Sequence, residues 1–489
     1  MKPAPSHDFT QAAIKGTAWR YVAFAGGKFL IFLSTIILAR LLSKEDFGVV
    51  GYAVTVIAFL DIVSDLGIGP AVIYHPESHR TFSTAFWLGL FFSTCLFFLT
   101  YLVAPLVGLY FRDDRAVQVT RALAITFPIA ALGAIHDTVL RKRLSFGRTV
   151  LPDFLQSSAK GLFSIVFALM GLGAMSLIWG QVIGVTIGVI CLWVITPWRP
   201  SFTLDRKIAK DLAGYGIKFV AVDFVGILLL NLDYLLVGRY LGAAALGLYT
   251  FAFRLPDLLI MQFVRVISTV IFPIYSKMKD GGATLSRGFS KTTRYVALLT
   301  VPLGLGLALV ARPFILTFFT DKWEEAIPVM RGIAIYAMFL SIAYNSGSVY
   351  KAQGRPQVVT WLSLFRLALL APALFWAVTV MRSIIAVGWV QAVVAFIGGT
   401  ISLIAASRLL KLPLKDLLAS IRPSFVSGAM MAGAVLPVLY FTQNLPNWAQ
   451  LTFAVLVGAA TYGAGLWFLQ REMVIGFSQR VLSSLARRG

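Results

Sequence analysis

Residues 85–110 read AFWLGLFFSTCLFFLTYLVAPLVGLY, a run of 26 residues without a charged side chain. About 20 apolar residues in a helix are enough to cross the roughly 30 Å of hydrocarbon in a bilayer. Further apolar runs occupy residues 29–39, 154–175 and 176–195. The sequence therefore predicts a protein that crosses a membrane several times.

The composition of the whole chain agrees with this interpretation. Hydrophobic residues make up 58% of the 489 residues and charged residues 13%, about half the roughly 25% of a soluble domain. A hydropathy window of about 19 residues predicts an all-α polytopic membrane protein with about fourteen transmembrane helices. The predicted spans cover residues 19–40, 48–67, 84–110, 117–139, 154–172, 175–195, 214–237, 246–274, 293–319, 327–349, 357–380, 384–406, 424–441 and 449–469.

The net charge of +22 arises from 43 Lys and Arg residues against 21 Asp and Glu residues. With the N-terminus placed in the cytoplasm, 28 of these basic residues fall on the cytoplasmic side and 10 on the opposite side. Retention of cationic loops in the cytoplasm explains this bias better than nucleic-acid binding does. We therefore expect both termini to be cytoplasmic and no nucleic-acid partner.

The sequence contains an internal repeat with a shift of 199 residues. The shift superposes Arg40 on Arg239, and it likewise superposes three further pairs. These pairs are Leu42 with Leu241, Gly48 with Gly247, and Ala53 with Ala252. Six spans separate the copies, so both halves have the same orientation, as in transporters built from parallel repeats.

No catalytic or cofactor-binding pattern is present in the sequence. The four histidines have no metal-binding spacing, and the two cysteines, Cys95 and Cys191, fall inside apolar spans. A nucleotide-binding P-loop is also missing from the sequence. We therefore expect no enzyme activity, no metal and no cofactor.

Basic residues at membrane depth are the candidate substrate site. Charges there are energetically unfavourable and generally face a wet cavity, where they bind anions such as phosphate. The predicted cationic cavity consists of Lys28, Lys160, Arg254, Arg265 and Arg366. The alternative is internal ion pairing, for example between Arg254 and Asp257, three residues apart on one helical face. Lys160 and Arg366 lie near span ends, from which long side chains can extend to the membrane surface.

Two acidic residues in the seventh predicted span are candidates for ion coupling. Asp223 and Asp233 are ten residues apart, nearly three helical turns, and lie on roughly the same side. A carboxylate within a transporter helix can bind H⁺ or Na⁺. Alternatively, these residues are structural partners of Arg239 or Lys28.

Small residues repeat every fourth position in the sixth predicted span, at Gly180, Gly184 and Gly188. This small-xxx-small pattern allows two membrane helices to approach closely.

The segment LARLLSKEDFG at residues 38–48, with Asp65-Leu66-Gly67 and with KAQGRPQ at 351–357, resembles a known family. It is similar to the Wzx-type polysaccharide transporters, in particular the WzxC-like branch, of the multidrug/oligosaccharidyl-lipid/polysaccharide exporter superfamily. In this family Arg40 and Gly48 are expected to set a helix turn and not to contact sugar.

The resemblance implies two pseudo-symmetric six-helix bundles around a central cavity, followed by two C-terminal helices. In this chain the bundles would cover residues 1–200 and 201–410, and the additional helices residues 411–489. The implied function is a flippase for an undecaprenyl-diphosphate-linked oligosaccharide in the bacterial inner membrane. It would work by alternating access in exopolysaccharide or lipopolysaccharide biosynthesis. Besides this substrate and membrane lipids, a polysaccharide polymerase is a candidate partner.

Three alternatives remain open from the sequence. A cation-coupled drug or metabolite exporter of the same superfamily would require an acidic cavity, which the excess of basic residues disfavours. A membrane enzyme would require a sizeable loop with paired carboxylates, and the segment holding Asp321, Glu324 and Glu325 is short. A peptidoglycan-precursor flippase is a near relative of the leading hypothesis.

Overall fold

The computed structural model describes residues 26–27, 30–65, 68, 72, 77–143, 146–278 and 282–486, which form helices joined by short turns. Within these ranges there is no β-strand. The α-helices are α1 (Leu30–Leu41), α2 (Lys44–Asp65), α3 (His79–Phe111), α4 (Arg115–Ala124), α5 (Thr126–Lys142), α6 (Phe146–Leu169), α7 (Ala174–Ile195), α8 (Arg206–Pro256), α9 (Gln262–Lys277), α10 (Gly282–Phe318), α11 (Ile327–Tyr344), α12 (Ser346–Ala352), α13 (Pro356–Thr379), α14 (Ile384–Leu409), α15 (Leu414–Phe441) and α16 (Asn447–Ala486). A π-turn (Asp257–Met261) separates α8 from α9, and a 3-10 turn (Asp321–Ala326) precedes α11.

Ten helical segments of the described residues are long and apolar enough to cross a membrane, and α1 is a shorter apolar helix. Every predicted span overlaps a helix of the structure. The predicted fold class is therefore confirmed: the chain is an all-α, multi-pass membrane protein. The count of about fourteen spans stays a prediction.

The chain divides into two compact units, residues 1–247 and residues 248–489. The first unit contains α1 to α7 and most of α8, and the second contains the remaining helices. The predicted division after residues 200 and 410 remains a prediction.

In the first unit, the LARLLSKEDFG segment forms the turn between α1 and α2, as predicted. Ser43 and Asp46 build a capping box at the start of α2. The backbone N–H of Ser43 donates to a carboxylate oxygen of Asp46 at 2.9 Å, and the backbone N–H of Asp46 donates to the Ser43 hydroxyl at 3.1 Å. Leu42 and Phe47 are each 3% exposed. The polar residues of the motif thus start the helix, and its apolar residues pack it.

The two glycines matched by the repeat each lie against the other copy. A Cβ atom on Gly48 would lie 1.8 Å from the carbonyl oxygen of Ala243, and one on Gly247 would lie 1.9 Å from the carbonyl oxygen of Lys44. Lys44 and Ala243 are also equivalent under the 199-residue shift. The contact is therefore reciprocal, as in a two-fold interface where residue i meets j and j meets i. This reciprocity supports the internal duplication.

The predicted close approach of the sixth span is present between α6 and α7. A Cβ atom on Gly180 would lie 2.0 Å from the hydroxyl of Ser164, and one on Gly184 would lie 2.8 Å from the carbonyl oxygen of Gln156. Any larger side chain would force the helices apart. The glycine face of α7 therefore fixes the position of α6.

The second unit has an aromatic centre near its 3-10 turn. Trp323 is fully buried, and its ring stacks on that of Phe251 with 4.1 Å between centroids. The ring of Phe319 meets Phe251 edge-on at 4.7 Å. Aromatic pairs in such arrangements add about 0.5–1.5 kcal/mol beyond their buried area. This packing joins the end of α10 to residues that precede the π-turn.

We expect Gly48→Ala and Gly247→Ala to lower the melting temperature of the purified protein. Overpacking generally destabilises by about 1–3 kcal/mol, and here the added methyl group meets backbone atoms, which cannot rotate away. Thermal unfolding followed by tryptophan fluorescence measures the effect.

Gly463→Ala is the matched control, because a Cβ atom at Gly463 would have nothing within 4 Å. An unchanged melting temperature in both Gly48→Ala and Gly247→Ala would contradict the close contact.

Candidate functional site

Five of the seven predicted site residues have described side chains. Arg254, Arg265 and Arg366 lie in the second unit, and Lys160 and Asp233 lie in the first. The predictions for Lys28 and for the side chain of Asp223 fall outside the described residues.

The π-turn of the second unit carries an ion pair. Arg265 donates from Nη2 to Oδ1 of Asp257 at 2.5 Å, and Gln262 donates from Nε2 to Oδ2 at 3.0 Å. A π-turn holds one extra residue per turn, so residues eight apart across it are placed like residues seven apart in a regular helix. The side chain of Arg265 therefore reaches the same helix face as Asp257.

This pairing differs from the alternative drawn from the sequence, in which Asp257 pairs with Arg254. Spacing alone favoured Arg254, because it lies three residues before Asp257. The structure shows an ion pair between Asp257 and Arg265 because the π-turn changes the register of the helix. Arg254 is half-buried one turn before Asp257. The side chains of the pair remain 48% and 30% exposed for Arg265 and Asp257, respectively.

Arg366, on α13, is held by an aromatic side chain of α11. Its Nη2 atom lies 3.4 Å from the hydroxyl oxygen of Tyr336, and its Cζ atom lies 5.7 Å from the centre of the Tyr336 ring. The Nε atom of Arg366 is buried and has no hydrogen-bond partner among the described residues. A buried donor of this kind is unfavourable by about 1–3 kcal/mol until an acceptor reaches it. An anionic ligand would supply that acceptor.

Tyr336 also connects Arg366 to the helix that carries Arg254. The ring of Tyr336 lies 5.6 Å from the ring of Phe253, which directly precedes Arg254. We call Arg254, Arg265 and Arg366 the arginine cluster. Three of the five predicted cations therefore lie on connected helices of the second unit.

Lys160 lies in the first unit, in the interface between α6 and α7. Its Cβ atom would be 2.9 Å from a Cβ atom placed on Gly184, so the stem of the side chain packs against the glycine face of α7. The side chain is half-buried. The same close approach that joins the two helices thus positions this lysine.

Asp233, the coupling candidate with a described side chain, is 1% exposed. Its Oδ1 atom accepts a hydrogen bond from the backbone N–H of Tyr234 at 3.0 Å. Arg239, the alternative partner, donates to the carbonyl oxygens of Leu109 and Tyr110 at 3.2 and 2.5 Å. Those carbonyls belong to the last turn of α3, where basic side chains satisfy free acceptors. The ion-coupling role of Asp233 stays a prediction.

The sequence analysis missed Tyr336 and Asn345. Asn345 separates α11 from α12, is fully buried, and its Nδ2 and Oδ1 atoms have no hydrogen-bond partner in the described part of the chain. Asn345 carries no charge, but uncharged polar side chains at membrane depth are unfavourable for the same reason as charged ones. The sequence could therefore have indicated Asn345, as an amide within an apolar span. It could not have indicated Tyr336, because the contact of Tyr336 with Arg366 depends on how two helices pack.

Two solved structures share the fold of this chain. It is similar to the lipid II flippase MurJ in an inward closed conformation, with a TM-score of 0.77 and 15% identity, over 94% of this chain and 100% of that one. It is also similar to an inward-facing multidrug resistance MATE family transporter, with a TM-score of 0.64 and 15% identity, over 79% and 96% of the two chains. This chain therefore shares its fold with the lipid II flippase and with the MATE family transporter.

Sequence comparison assigns the family within this fold. Residues 37–328 match the model of a family described as polysaccharide biosynthesis protein, and the chain belongs to that family. It is 29% identical to the teichuronic acid biosynthesis protein TuaB of Bacillus subtilis, over 82% of this chain and 83% of TuaB. It is 24% identical to the lipopolysaccharide biosynthesis protein WzxC of Escherichia coli, over 74% and 75% of the two chains. The resemblance to the polysaccharide transporters seen in LARLLSKEDFG and in Asp65-Leu66-Gly67 is confirmed.

We expect Asn345→Leu to raise the melting temperature of the purified protein. Leucine has the same branched shape as asparagine, and it removes two buried polar atoms whose desolvation is unfavourable by about 1–3 kcal/mol. Thermal unfolding in detergent measures the change.

The control is Asn444→Leu at an exposed position in the turn after α15, where we expect a change within about 0.5 kcal/mol. A lower melting temperature for Asn345→Leu would show that the amide is hydrogen-bonded in solution.

Proposed function

We propose that this protein is a flippase that moves an undecaprenyl-diphosphate-linked oligosaccharide across the membrane by alternating access. The proposal places the diphosphate at the arginine cluster of the second unit, and Lys28 and Lys160 remain proposed substrate-binding cations of the first unit. Arginine suits this role because its planar guanidinium donates two parallel hydrogen bonds to phosphate oxygens.

The observation that carries the proposal is the environment of Arg366. It is combined with the membership of this chain in the polysaccharide biosynthesis family. The half-buried side chain of Arg366 lies on an apolar helix beside an aromatic ring, its Nε atom is buried without a hydrogen-bond partner, and no carboxylate of the described residues forms an ion pair with it. Ionisable groups within membrane helices mark substrate pathways by default. TuaB, the succinoglycan transport protein ExoT of Rhizobium meliloti and WzxC are each named for the biosynthesis or transport of a polysaccharide. A lipid diphosphate is an anion that fits both facts.

The proposal also includes the membrane in which the protein works, its topology and its partner. We propose that it works in a bacterial inner membrane with both termini in the cytoplasm, on the basis of the 28 to 10 distribution of basic residues. It would catalyse no covalent reaction, and a polysaccharide polymerase would use its product. Asp223 and Asp233 remain the proposed positions for ion coupling.

We expect Arg366→Gln to reduce the rate of flipping by roughly ten- to a hundredfold, the value of one charge-assisted hydrogen bond of about 1.5–3 kcal/mol. Arg366→Lys should be impaired to an intermediate degree, because it keeps the charge and loses the planar geometry. The assay follows a fluorescent undecaprenyl-diphosphate oligosaccharide in proteoliposomes, using quenching by an impermeant reductant.

Arg408→Gln is the matched control, since Arg408 is exposed at the end of α14. A normal rate in Arg366→Gln and in Arg254→Gln together would contradict a substrate site at the arginine cluster. Flipping of lipid II, or efflux of a cationic drug, with no flipping of the oligosaccharide lipid would instead favour another function of the superfamily.

Cysteine labelling tests the proposed orientation. In a Cys95→Ser/Cys191→Ser background, we expect an impermeant maleimide to label Glu325→Cys from the periplasm, and to label Lys351→Cys only after the inner membrane is permeabilised. Both positions are exposed, and they lie before and after α11. Labelling in the reverse order would invert the topology.

A further inference from the structure

The second unit contains a basic pocket of about 810 Å³ apart from the arginine cluster. Three segments line it: the first turns of α10, the turn and first residues of α15, and the region of α16 around Gln470. Its charged side chains are four basic residues and one acid, namely Arg287, Lys291, Arg294, Arg471 and Asp416. The volume lies within the roughly 300–1,000 Å³ of small-ligand sites.

Three of the basic residues lie on one face of α10. Arg287, Lys291 and Arg294 have the spacing i, i+4 and i+7, which places them above one another. Like charges at such spacings repel each other by about 0.2–0.5 kcal/mol per pair. Their concentration in a concave site with a single carboxylate produces a positive potential that attracts an anion.

The pocket is also built by a specific contact between helices. Arg294 donates from Nε and Nη2 to the side-chain oxygen of Gln470, at 3.0 and 2.6 Å. The backbone of α16 leaves helical geometry at Gln470, with φ −144° and ψ 44°. The next residue, Arg471, lies with its guanidinium 5.6 Å from the centre of the Trp467 ring. The break in α16 therefore turns a glutamine and an arginine towards the same pocket.

The rim of the pocket is apolar and aromatic. Tyr295 and Leu469 line it with exposed fractions of 39% and 48%, and the neighbouring Phe468 is 82% exposed. Tyrosine and tryptophan concentrate where hydrocarbon meets headgroups. A ligand in this pocket can therefore place an anionic group on the basic residues and an acyl chain along the exposed apolar side chains.

We propose that this pocket binds the phosphate group of an anionic lipid headgroup. Basic pockets between membrane helices recognise such headgroups, and the predicted topology assigns Arg287, Lys291 and Arg294 to the cytoplasmic side. The site does not depend on the proposed flippase activity, because it involves other residues than the arginine cluster.

Native mass spectrometry of the full-length protein in detergent tests the proposal, with dioleoyl phosphatidylglycerol and dioleoyl phosphatidylcholine as probes. In Arg287→Gln/Lys291→Gln we expect the affinity for phosphatidylglycerol to fall about 25-fold, roughly fivefold for each charge removed. Binding of phosphatidylcholine should be unchanged. The control Arg206→Gln/Lys207→Gln removes two exposed charges of the first unit and should bind both lipids like the wild type.

A second variant is expected to raise the affinity for phosphatidylglycerol. Asp416→Asn removes the acid of the pocket, and we expect it to bind phosphatidylglycerol about fivefold more tightly. Wild-type affinity in both pocket variants would overturn the proposal. Binding of millimolar inorganic phosphate to the wild type, with no binding of phosphatidylglycerol, would also overturn it, because the site would then bind free phosphate and no lipid. A normal flipping rate in Arg366→Gln and in Arg254→Gln, together with weaker lipid binding in Arg287→Gln/Lys291→Gln, would count against the arginine cluster alone.

Discussion

Hydrocarbon offers no hydrogen-bond partner to a peptide group, so a membrane helix can change direction only where the protein itself satisfies the backbone. The breaks in this chain follow that constraint. At Asn345 the helix restarts at once, and the backbone N–H groups of Ser348 and Val349 both donate to the Asn345 carbonyl, at 3.1 and 3.3 Å. At the end of α3 the guanidinium of Arg239 supplies the donors for two carbonyl oxygens. At these two places a backbone carbonyl and an arginine side chain, respectively, satisfy backbone groups at a helix end.

Three arginines of the structure are held in chemically different ways. Arg239 binds backbone carbonyls, Arg265 binds the carboxylate of Asp257, and Arg366 lies against the ring of Tyr336. The first two arrangements engage the guanidinium with strong acceptors. An aromatic ring attracts a cation by only about 0.5–2 kcal/mol and neutralises no charge. Arg366 thus keeps most of its capacity to bind an anion.

The sequence predicted the helical class and the family, and each predicted span overlaps a helix, because apolar runs and the LARLLSKEDFG turn are local signals. It also predicted the glycine face of α7, which needs a fixed spacing and no knowledge of the partner helix. The sequence did not predict that Asp257 pairs with Arg265. The π-turn at Asp257–Met261 changes the helix register by one residue, and its sequence DLLIM has no composition that would reveal a π-turn. The Tyr336–Arg366 contact joins residues 30 apart on two helices, so only packing could reveal it.

A transporter must hold its substrate firmly enough to select it and weakly enough to release it, as ion-conducting sites do. Under the proposed function, the two kinds of arginine in the cluster would divide this task. A phosphate at Arg265 would compete with a carboxylate that also accepts from Gln262, whereas a phosphate at Arg366 would compete with a hydroxyl contact of 3.4 Å. Arg366 would then be the position where an anion exchanges more readily. The Asp257–Arg265 pair is the position where a change in the π-turn would alter the charge that the anion meets.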